Sequence, residues 1–178
     1  MSTHPFNRTE LLIGPEGLAI LAQSRVVICG LGGVGSYAAE ALARAGIGSL
    51  VLVDHDIISA TNINRQIHAL TTTVGQPKVQ VMAHRLRKIN PRLNLTLWQE
   101  FFTAKEAEFI FASPVDYVVD AIDTVSAKVD LILTARQREL PIVSCMGMGN
   151  KLDPTCLQVT DISKTHTCPL AKAVRRLL

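Results

Sequence analysis

The sequence has 178 residues, of which 48% are hydrophobic and 19% are charged, and its formal net charge is +3. This length and composition predict one globular domain with a sizeable core and exclude a disordered chain. The first ten residues have no apolar stretch behind a basic start, and no apolar run is long enough to span a bilayer. We therefore expect neither a secretory leader nor a membrane segment, and we expect a cytoplasmic protein.

Helical patterns alternate with short apolar runs along the chain. A helix is predicted over residues 11–22, ahead of the first apolar run. The predicted strands cover residues 25–29, 49–54, 95–98, 116–123 and 141–145, and the predicted helices between them cover 36–46, 77–90 and 125–138. A later strand is expected over residues 156–162. The alternation predicts an α/β fold, doubly wound and Rossmann-like, with a mainly parallel sheet and helices on both faces.

Both ends of the chain carry apolar patterns without an evident partner. The helix predicted over residues 11–22 has no obvious place in a doubly wound sheet, so we expect it on the edge of the domain or on the partner subunit of a homodimer. At the other end, Leu177 and Leu178 continue a helical apolar pattern with no capping residue. We therefore expect that the single domain, residues 1–178, is cut short at its C-terminus.

A glycine-rich turn joins the first predicted strand to the next helix. Gly30, Gly32 and Gly35 form the pattern G-x-G-x-x-G in the string GLGGVG. Glycines at these positions permit a tight turn and let phosphate oxygens approach backbone N–H groups at a helix N-terminus. Asp54 ends the next strand, where a carboxylate usually accepts ribose hydroxyls. We therefore expect a nucleotide site, with loop capping as the alternative role of Asp54. Asp56 is the rival for the ribose contact, but it lies two residues past the strand and is expected in solvent.

Residues 57–99 contain no Asp or Glu. Their cations are Arg65, Lys78, Arg85, Arg87, Lys88 and Arg92. Such a basic block favours a polyanionic ligand, although the cations in residues 85–92 also fit a solvated helix face. Arg65 and Lys78 lie outside that face, so they need a separate explanation.

Arg65, Lys78 and Asp123 suit chemistry at a phosphate. Hydride transfer to a nicotinamide breaks no phosphate bond and needs no strong cations there. Cleavage between the α- and β-phosphates of ATP does need them, because negative charge builds on the leaving pyrophosphate. Asp123 ends the fourth predicted strand at the same edge of the sheet, where a carboxylate can hold Mg²⁺. Its alternative role is the N-cap of the following helix.

Five motifs, in order GLGGVG, VDHD, NINRQ, GQPK and DAID, resemble the superfamily of ThiF, MoeB and the ubiquitin-activating enzymes. Those enzymes adenylate a carboxylate, so the resemblance implies an ATP-binding adenylation domain that uses ATP and Mg²⁺. The residues that it implies at the ATP are Gly30, Gly32, Gly33 and Gly35 in the phosphate loop, Asp54 at the ribose, Asn62 and Arg65 at the phosphates, Lys78 at the α- and β-phosphates, Gln66 to help position them, and Asp123 at Mg²⁺. Arg8 resembles an N-terminal Arg that reaches the ATP of the partner subunit, and a free surface Arg is the equal alternative.

Longer strings carry a narrower resemblance. From about Phe6 onward, strings such as TNINRQIHAL, VVDAIDTVSAK and DPTCLQVTDISKT resemble the tRNA threonylcarbamoyladenosine dehydratases (the TcdA or CsdL group). This family uses ATP to cyclise N6-threonylcarbamoyladenosine beside the tRNA anticodon, by adenylating the threonyl carboxylate. The resemblance implies tRNA carrying that base as the partner of the basic residues 85–92. It also implies a link to a cysteine-desulfurase sulfur-acceptor system.

Three other functions stay open. An adenylyltransferase for a sulfur-carrier or ubiquitin-like protein shares every ATP residue, although its molybdopterin- and thiamine-type members carry C-x-x-C zinc pairs. The four cysteines of this chain form no such pair. An NAD-dependent oxidoreductase leaves Arg65, Lys78 and Asp123 without a role, and a catalytically inactive scaffold does not need the intact set of ATP residues.

Overall fold

The computed structural model describes residues 4–178 as one five-stranded sheet with helices on both of its faces. The strands are β1 (Arg25–Cys29), β2 (Ser49–Val53), β3 (Asn94–Trp98), β4 (Tyr117–Asp120) and β5 (Ile142–Ser144). The α-helices are α1 (Asn7–Gln23), α2 (Gly35–Ala45), α3 (Lys78–Ile89), α4 (Ala104–Ile110), α5 (Val125–Gln137) and α6 (Pro169–Leu177). Short 3-10 turns cover Ala60–Asn62, Pro154–Cys156 and Ile162–Lys164.

The strand order determines where a ligand site can form. The order is β3-β2-β1-β4-β5, and every neighbouring pair is parallel. The central strand is β1, in which Val27 lies opposite Val51 on one side and Val118 on the other. Because the chain winds outwards from β1 in both directions, the loops after β1 and β4 separate at the carboxyl edge and leave a crevice. The predicted doubly wound, mainly parallel fold is confirmed.

Two apolar layers hold the sheet between its helices. On one face Ile28 and Leu52 pack with residues of α2 and α3, among them Met82. On the other face Val27 packs with residues of α4 and α5, among them Leu131. Val27 and Ile28 are neighbours in β1 yet belong to opposite layers, because successive side chains of a strand point to opposite faces.

The helix predicted over residues 11–22 is α1, which is longer than predicted and kinked. Gly14 has a φ of 76°, and Pro15 follows it, so the helical backbone is interrupted there. No residue of α1 is buried, and Leu12 is 85% exposed. The end of α1 lies close against the turn before β2, where a Cβ on Gly48 would stand 1.9 Å from the carbonyl oxygen of Ala22.

Residues 156–162 do not form the strand that the sequence predicts. They contain the end of one 3-10 turn and the start of another, and Leu157 and Val159 are exposed. The side chains of Asp153 and Asp161 each accept a hydrogen bond from the backbone N–H two residues further on. Such local bonds favour turns over strand pairing, and β5 remains the edge of the sheet.

The fourth strand ends three residues earlier than predicted, and a short helix precedes it. β4 stops at Asp120, because the backbone N–H of Ile122 turns towards the Asp120 side chain. Helix α4 was not predicted; it begins where the Thr103 side chain accepts a hydrogen bond from the backbone N–H of Lys105.

Over residues 4–178, no helix is long and apolar enough to cross a membrane.

Candidate active site

A cleft of about 680 Å³ opens at the carboxyl edge of the sheet, at the ends of β1 and β4. Its walls are the loops after all five strands together with the first turns of α3 and α6. The predicted site residues that line it are Gly30, Gly32, Gly33, Asp54, Asn62, Arg65, Gln66, Lys78 and Asp123. Gly35 and Arg8 are not among the lining residues. The fold thus brings nine of the eleven predicted residues to one cavity.

The glycine-rich loop forms one wall of the cleft. Gly30 has a φ of 88°, and a Cβ there would lie 2.6 Å from the carbonyl oxygen of Ala121. A Cβ on Gly35 would lie 1.8 Å from the carbonyl oxygen of Gly30, so Gly35 allows α2 to start directly against the loop. Nothing lies within 4 Å of a Cβ on Gly32. The loop therefore packs closely against the backbone at Gly30 and Gly35, and it is open at Gly32, near the N-terminus of α2.

Asp54 ties the glycine-rich loop to the end of β2. Its buried carboxylate accepts the backbone N–H of Leu31 at 2.6 Å on Oδ2 and that of Asp56 at 2.8 Å on Oδ1. The loop-capping role that the sequence left open is therefore present. A carboxylate has about four acceptor positions, so Asp54 retains capacity to accept ribose hydroxyls in the cleft.

Asn62, the last residue of a short 3-10 turn, and Gln66, four residues later, both line the cleft. Ser59 caps this turn, and the Asn62 Oδ1 accepts the backbone N–H of Ser59 at 2.9 Å. Gln66 is buried, and its Oε1 has no hydrogen-bond partner among the described atoms. A buried amide oxygen without a partner is costly, so a donor from a bound ligand would stabilise it.

Arg65 is exposed and lies beside the glycine-rich loop. A Cβ on Gly33 would stand 3.4 Å from the carbonyl oxygen of Arg65. The Arg65 Nη1 donates to the Thr61 carbonyl and to the Asn64 side chain, each at 2.9 Å. Across the part of the chain that the structure describes, Arg65 forms no ion pair. Its guanidinium therefore remains available for an anion bound in the cleft.

Lys78 reaches the cleft from the first residue of α3, and it is buried. Its Nζ lies 2.6 Å from the Asp56 Oδ2 and 3.8 Å from the Asp54 Oδ2. The Asp56 carbonyl also accepts the backbone N–H of Lys78 at 3.1 Å. The expectation that Asp56 is only solvated is therefore wrong, because its half-exposed carboxylate fixes the ammonium of Lys78.

Asp123 lies three residues after β4, and its side chain is exposed to the cleft. The N-cap of α5 is Thr124, and no side chain caps that helix, so the alternative role predicted for Asp123 is wrong. Within residues 4–178 the Asp123 carboxylate has neither a hydrogen-bond partner nor an ion-pair partner. It is therefore free to bind a cation.

Arg8 lies on the exposed surface of α1, away from the residues that line this chain's own cleft. This position agrees with both roles considered for it, a group supplied to a partner subunit and a free surface residue. Its role stays a prediction.

The cations of residues 85–92 fall into two groups. Arg85 is partly buried and forms an ion pair with Glu40 of α2, and this contact lowers the pKa of the Glu40 carboxyl. Arg87, Lys88 and Arg92 are exposed and form no ion pair in the described part of the chain. Arg85 therefore joins α2 to α3, and only the other three cations are available to a large anion.

One buried ion pair beneath the cleft was missed from the sequence. Lys128 of α5 and Asp120 of β4 have fully buried side chains, and the Nζ lies 2.7 Å from the Oδ2. Burial raises the pKa of the Asp120 carboxyl, although its bonds to Lys128 and Ser144 oppose this shift. The only signal in the sequence is an acidic residue in a strand and a lysine in the next helix, a pattern that many surface residues share.

The fold and the cleft define an α/β protein in which a glycine-rich loop at the N-terminus of α2 borders a cleft that is also lined by two cations, Arg65 and Lys78, and by the carboxylate of Asp123. The chain belongs to the ThiF family, whose model matches residues 6–176.

Relatives within this family share most of the chain. It is 51% identical over 175 residues to the tRNA threonylcarbamoyladenosine dehydratase of Bacillus subtilis strain 168, covering 98% of this chain and 69% of that protein. A solved structure of the Escherichia coli tRNA N6-threonylcarbamoyladenosine dehydratase TcdA in complex with ATP is 44% identical, with a TM-score of 0.94. That match covers 97% of this chain and 71% of the chain in the solved TcdA structure.

A second group of relatives is more distant. The chain is 37% identical to the molybdopterin-synthase adenylyltransferase of Escherichia coli strain K12, over 92% of this chain and 66% of that protein.

The chain spans only part of the length of its relatives. It covers 65% of the tRNA threonylcarbamoyladenosine dehydratase of Escherichia coli strain K12. About a third of that relative has no counterpart in these 178 residues.

Proposed function

We propose that this chain is the ATP-binding portion of an ATP-dependent tRNA threonylcarbamoyladenosine dehydratase. The observation that carries the proposal is the assembly of nine predicted ATP residues in one cleft, in a chain that is 51% identical to a dehydratase. The TcdA structure with ATP has the same fold at a TM-score of 0.94, so ATP is the nucleotide for which the cleft is proposed.

The proposed reaction begins at the α-phosphate. An oxygen of the substrate's threonyl carboxylate forms a bond to the α-phosphorus, and the bond from that phosphorus to the pyrophosphate oxygen breaks. Arg65 and Lys78 oppose the negative charge that develops on the phosphates, where preorganised cations contribute most. A group within the same threonylcarbamoyl side chain then attacks the activated carbonyl carbon, and AMP leaves. The net change in the substrate is the loss of one water.

Asp123 is the proposed Mg²⁺ ligand. Its carboxylate is exposed to the cleft without a protein partner in residues 4–178, and Mg²⁺ is usually held by one or two carboxylates together with phosphate oxygens and waters. The group of Asp54, His55 and Asp56 fits less well, because the Lys78 ammonium lies among those oxygens. When bound, Mg²⁺ would neutralise charge on the phosphates.

The proposed tRNA contact is the exposed surface of α3 and the turn after it. Arg87, Lys88 and Arg92 lie there with no carboxylate partner in the described residues. Cations arranged in this way bind a phosphate backbone without reading its sequence. Since tRNA modification of this kind takes place where tRNA is used, we place the enzyme in the cytoplasm.

The proposed assembly is a homodimer that forms around α1. This helix buries none of its own residues, and Leu11, Leu12 and Ile20 are 64%, 85% and 66% exposed. Covering them in a two-fold interface would remove apolar surface from water and bring Arg8 close to a second subunit. The proposed link to a sulfur-acceptor system rests on family resemblance alone.

An adenylyltransferase for a small carrier protein is the second candidate function. The 37% identity to a molybdopterin-synthase adenylyltransferase supports it, but less strongly than the 51% identity to a dehydratase supports the first candidate. In that reaction the acceptor of AMP is the C-terminal carboxylate of a protein, whereas in the first it is a carboxylate on tRNA.

The test is ATP consumption by the full-length protein with two tRNA preparations that differ only in the threonylcarbamoyl group. We expect AMP and pyrophosphate with the modified tRNA alone, and mass spectrometry of its nucleosides should show the loss of one water. Equal AMP from both preparations would contradict the dehydratase. AMP that forms only with an added carrier protein ending in Gly-Gly would establish the second candidate instead.

A further inference from the structure

The buried pair Asp120–Lys128 joins three elements at the floor of the cleft. Lys128 Nζ donates to the Asp120 Oδ2 at 2.7 Å and to the Cys145 carbonyl at 3.0 Å. The Ser144 hydroxyl donates to the same carboxylate oxygen of Asp120. Helix α5 is thereby tied to β4 and β5 at their carboxyl ends, the edge on which the cleft opens.

The same carboxylate fixes the segment that leads to Asp123. The Asp120 Oδ1 accepts the backbone N–H of Ile122 at 3.0 Å. Between them, the backbone N–H of Ala121 donates to the Cys29 carbonyl at 2.8 Å. Ala121 is also the residue against which Gly30 packs, since a Cβ on Gly30 would lie 2.6 Å from its carbonyl oxygen. One short segment therefore supports both the glycine-rich loop and Asp123.

Stability alone does not explain an ion pair at this place. Removing a carboxylate and an ammonium from water costs several kcal/mol for each ion, and apolar residues of similar volume often stabilise a fold equally well. Here the pair adds directed bonds to Ile122, Ser144 and Cys145 that apolar side chains cannot make. What the pair supplies beyond burial is therefore a fixed geometry of the cleft floor.

We propose that Asp120 and Lys128 are positioning residues, which hold the segment 121–123 so that the Asp123 carboxylate meets a Mg²⁺ ion bound to the ATP phosphates. The proposal rests on the proposed ATP and Mg²⁺ site. Neither residue is among those that line the cleft. Both act through the backbone that carries Asp123, as outer residues commonly orient the ligands of a metal ion.

The test replaces the pair by apolar residues in the full-length protein, as Asp120→Val with Lys128→Met. Calorimetry gives the Kd for ATP with Mg²⁺ and with EDTA. The Kd in EDTA divided by the Kd with Mg²⁺ reports how much Mg²⁺ improves ATP binding. We expect the variant to remain folded and to lose about tenfold in this ratio, the lower end of the effect of outer residues on metal affinity.

The matched control is Leu131→Ala on the same helix. Leu131 is fully buried in the layer under the sheet and is not a lining residue of the cleft. It should lose stability without a change in the Mg²⁺ ratio. If the apolar pair keeps the wild-type ratio as this control does, the pair is only structural and the proposal is wrong.

A milder variant keeps the proposal testable if the double variant does not fold. Ser144→Ala removes one donor to Asp120 without removing a charge. It should lower the ratio in the same direction, and an unchanged ratio overturns the proposal. A wild-type protein that binds no ATP would instead refute the proposed function, whereas wild-type ATP binding with no gain from Mg²⁺ refutes the positioning role.

Discussion

The ammonium of Lys78 lies 2.6 Å from the carboxylate of Asp56, within the candidate ATP site. The lysine is buried, and the same ammonium is 3.8 Å from Asp54. A cation held between two carboxylates is already compensated before any phosphate arrives. If Lys78 has the phosphate role that we propose, phosphate binding has to compete with Asp56 for its ammonium.

Removing either cation of the cleft should strongly slow the formation of AMP. Lys78→Ala or Arg65→Ala should each lower the rate of AMP formation by roughly 10²-fold or more, because each cation opposes charge that develops on the phosphates. The measurement is AMP release with modified tRNA, alongside circular dichroism to verify the fold. Arg87→Ala, an exposed cation outside the cleft, is the control for AMP release at saturating tRNA. Near-normal AMP release from a folded Lys78 or Arg65 variant would remove that residue from the mechanism.

Removing the negative charge of Asp56, which competes with the phosphates for Lys78, should strengthen ATP binding. Asp56→Asn frees Lys78 and removes a negative charge near the phosphates, while an amide of nearly the same shape remains. A half-exposed ion pair is worth up to about 1 kcal/mol, so the Kd for ATP should fall by no more than about fivefold. Calorimetry without Mg²⁺ measures this directly.

Glu100→Gln is the matched control for that experiment. Glu100 also lines the cleft and is exposed, and it pairs with no cation among residues 4–178. If both variants bind ATP equally more tightly, the gain reflects general repulsion and not the release of Lys78. A weaker binding of ATP by Asp56→Asn would mean that the carboxylate orients Lys78 for the phosphates.

Asp123→Asn should raise the Mg²⁺ concentration that half-maximal AMP formation requires. The amide keeps the shape of the side chain but loses the charge with which a carboxylate holds this hard cation. We expect AMP formation at limiting Mg²⁺ to fall by about tenfold or more, with partial recovery at high Mg²⁺. The measurement is the Mg²⁺ concentration at half-maximal rate, with Asp130→Asn on α5 as the control outside the cleft. An unchanged Mg²⁺ requirement would contradict the role of Asp123.

Much of this site could be predicted from the sequence, because its residues lie in local motifs. The glycine-rich loop, Arg65 and Lys78 are each placed by a short pattern of strand, turn or helix, and the winding rules then bring the carboxyl ends together. The order of the strands and helices follows from the same patterns. The strand expected over residues 156–162 is wrong, because an alternating pattern does not reveal whether a neighbouring strand is available for pairing.

The long-range ion pairs of Lys78 and Arg85 could not be predicted, because they join residues that only the tertiary fold brings together. Lys78 contacts Asp56, and Arg85 contacts Glu40 on another helix. In the sequence these carboxylates and cations are indistinguishable from solvated surface charges. Only the contacts seen in the structure distinguish a cation that is ion-paired within the fold, such as Arg85, from cations that remain available to a ligand.

Reversing the three free cations of the basic surface should weaken tRNA binding and leave ATP binding unchanged. Replacing Arg87, Lys88 and Arg92 by Glu takes away their attraction to phosphates of the tRNA. For each phosphate that is no longer neutralised, the slope of log K against log salt should become shallower by about 0.9 or somewhat less. The measurement is tRNA affinity over a range of salt concentrations. Arg85 is left intact, because its pair with Glu40 holds α2 to α3.

The control for this surface is an equal charge reversal on the opposite face of the sheet. Lys105, Arg136 and Lys172 are exposed on α4, α5 and α6, and they form no ion pair among residues 4–178. If both triple variants lose affinity equally, binding depends on net charge alone and the surface of α3 is not the tRNA site.

Buried His68 should make the domain less stable in mild acid. Its side chain is 1% exposed, and neither ring nitrogen has a hydrogen-bond partner among the described atoms. Burial, reinforced by the positive charges of Lys78 and Arg85, lowers the pKa of His68 from 6.5 to about 4. The folded state therefore disfavours the protonated ring relative to the unfolded chain.

The sign of the pH effect follows from that lowered pKa. Above pH 6.5 the ring is neutral in both states, and its contribution to stability is fully present. Between pH 6.5 and 4 the unfolded chain binds the proton and the folded protein does not, so the free energy of unfolding should fall by up to about 3 kcal/mol. Denaturant unfolding at about pH 7 and about pH 4.5 measures this loss, and His68→Phe should reduce it, whereas His84→Gln at an exposed histidine should not. An identical pH dependence in His68→Phe and the wild-type protein would show that other groups cause the loss, because the two proteins then bind the same number of protons on unfolding.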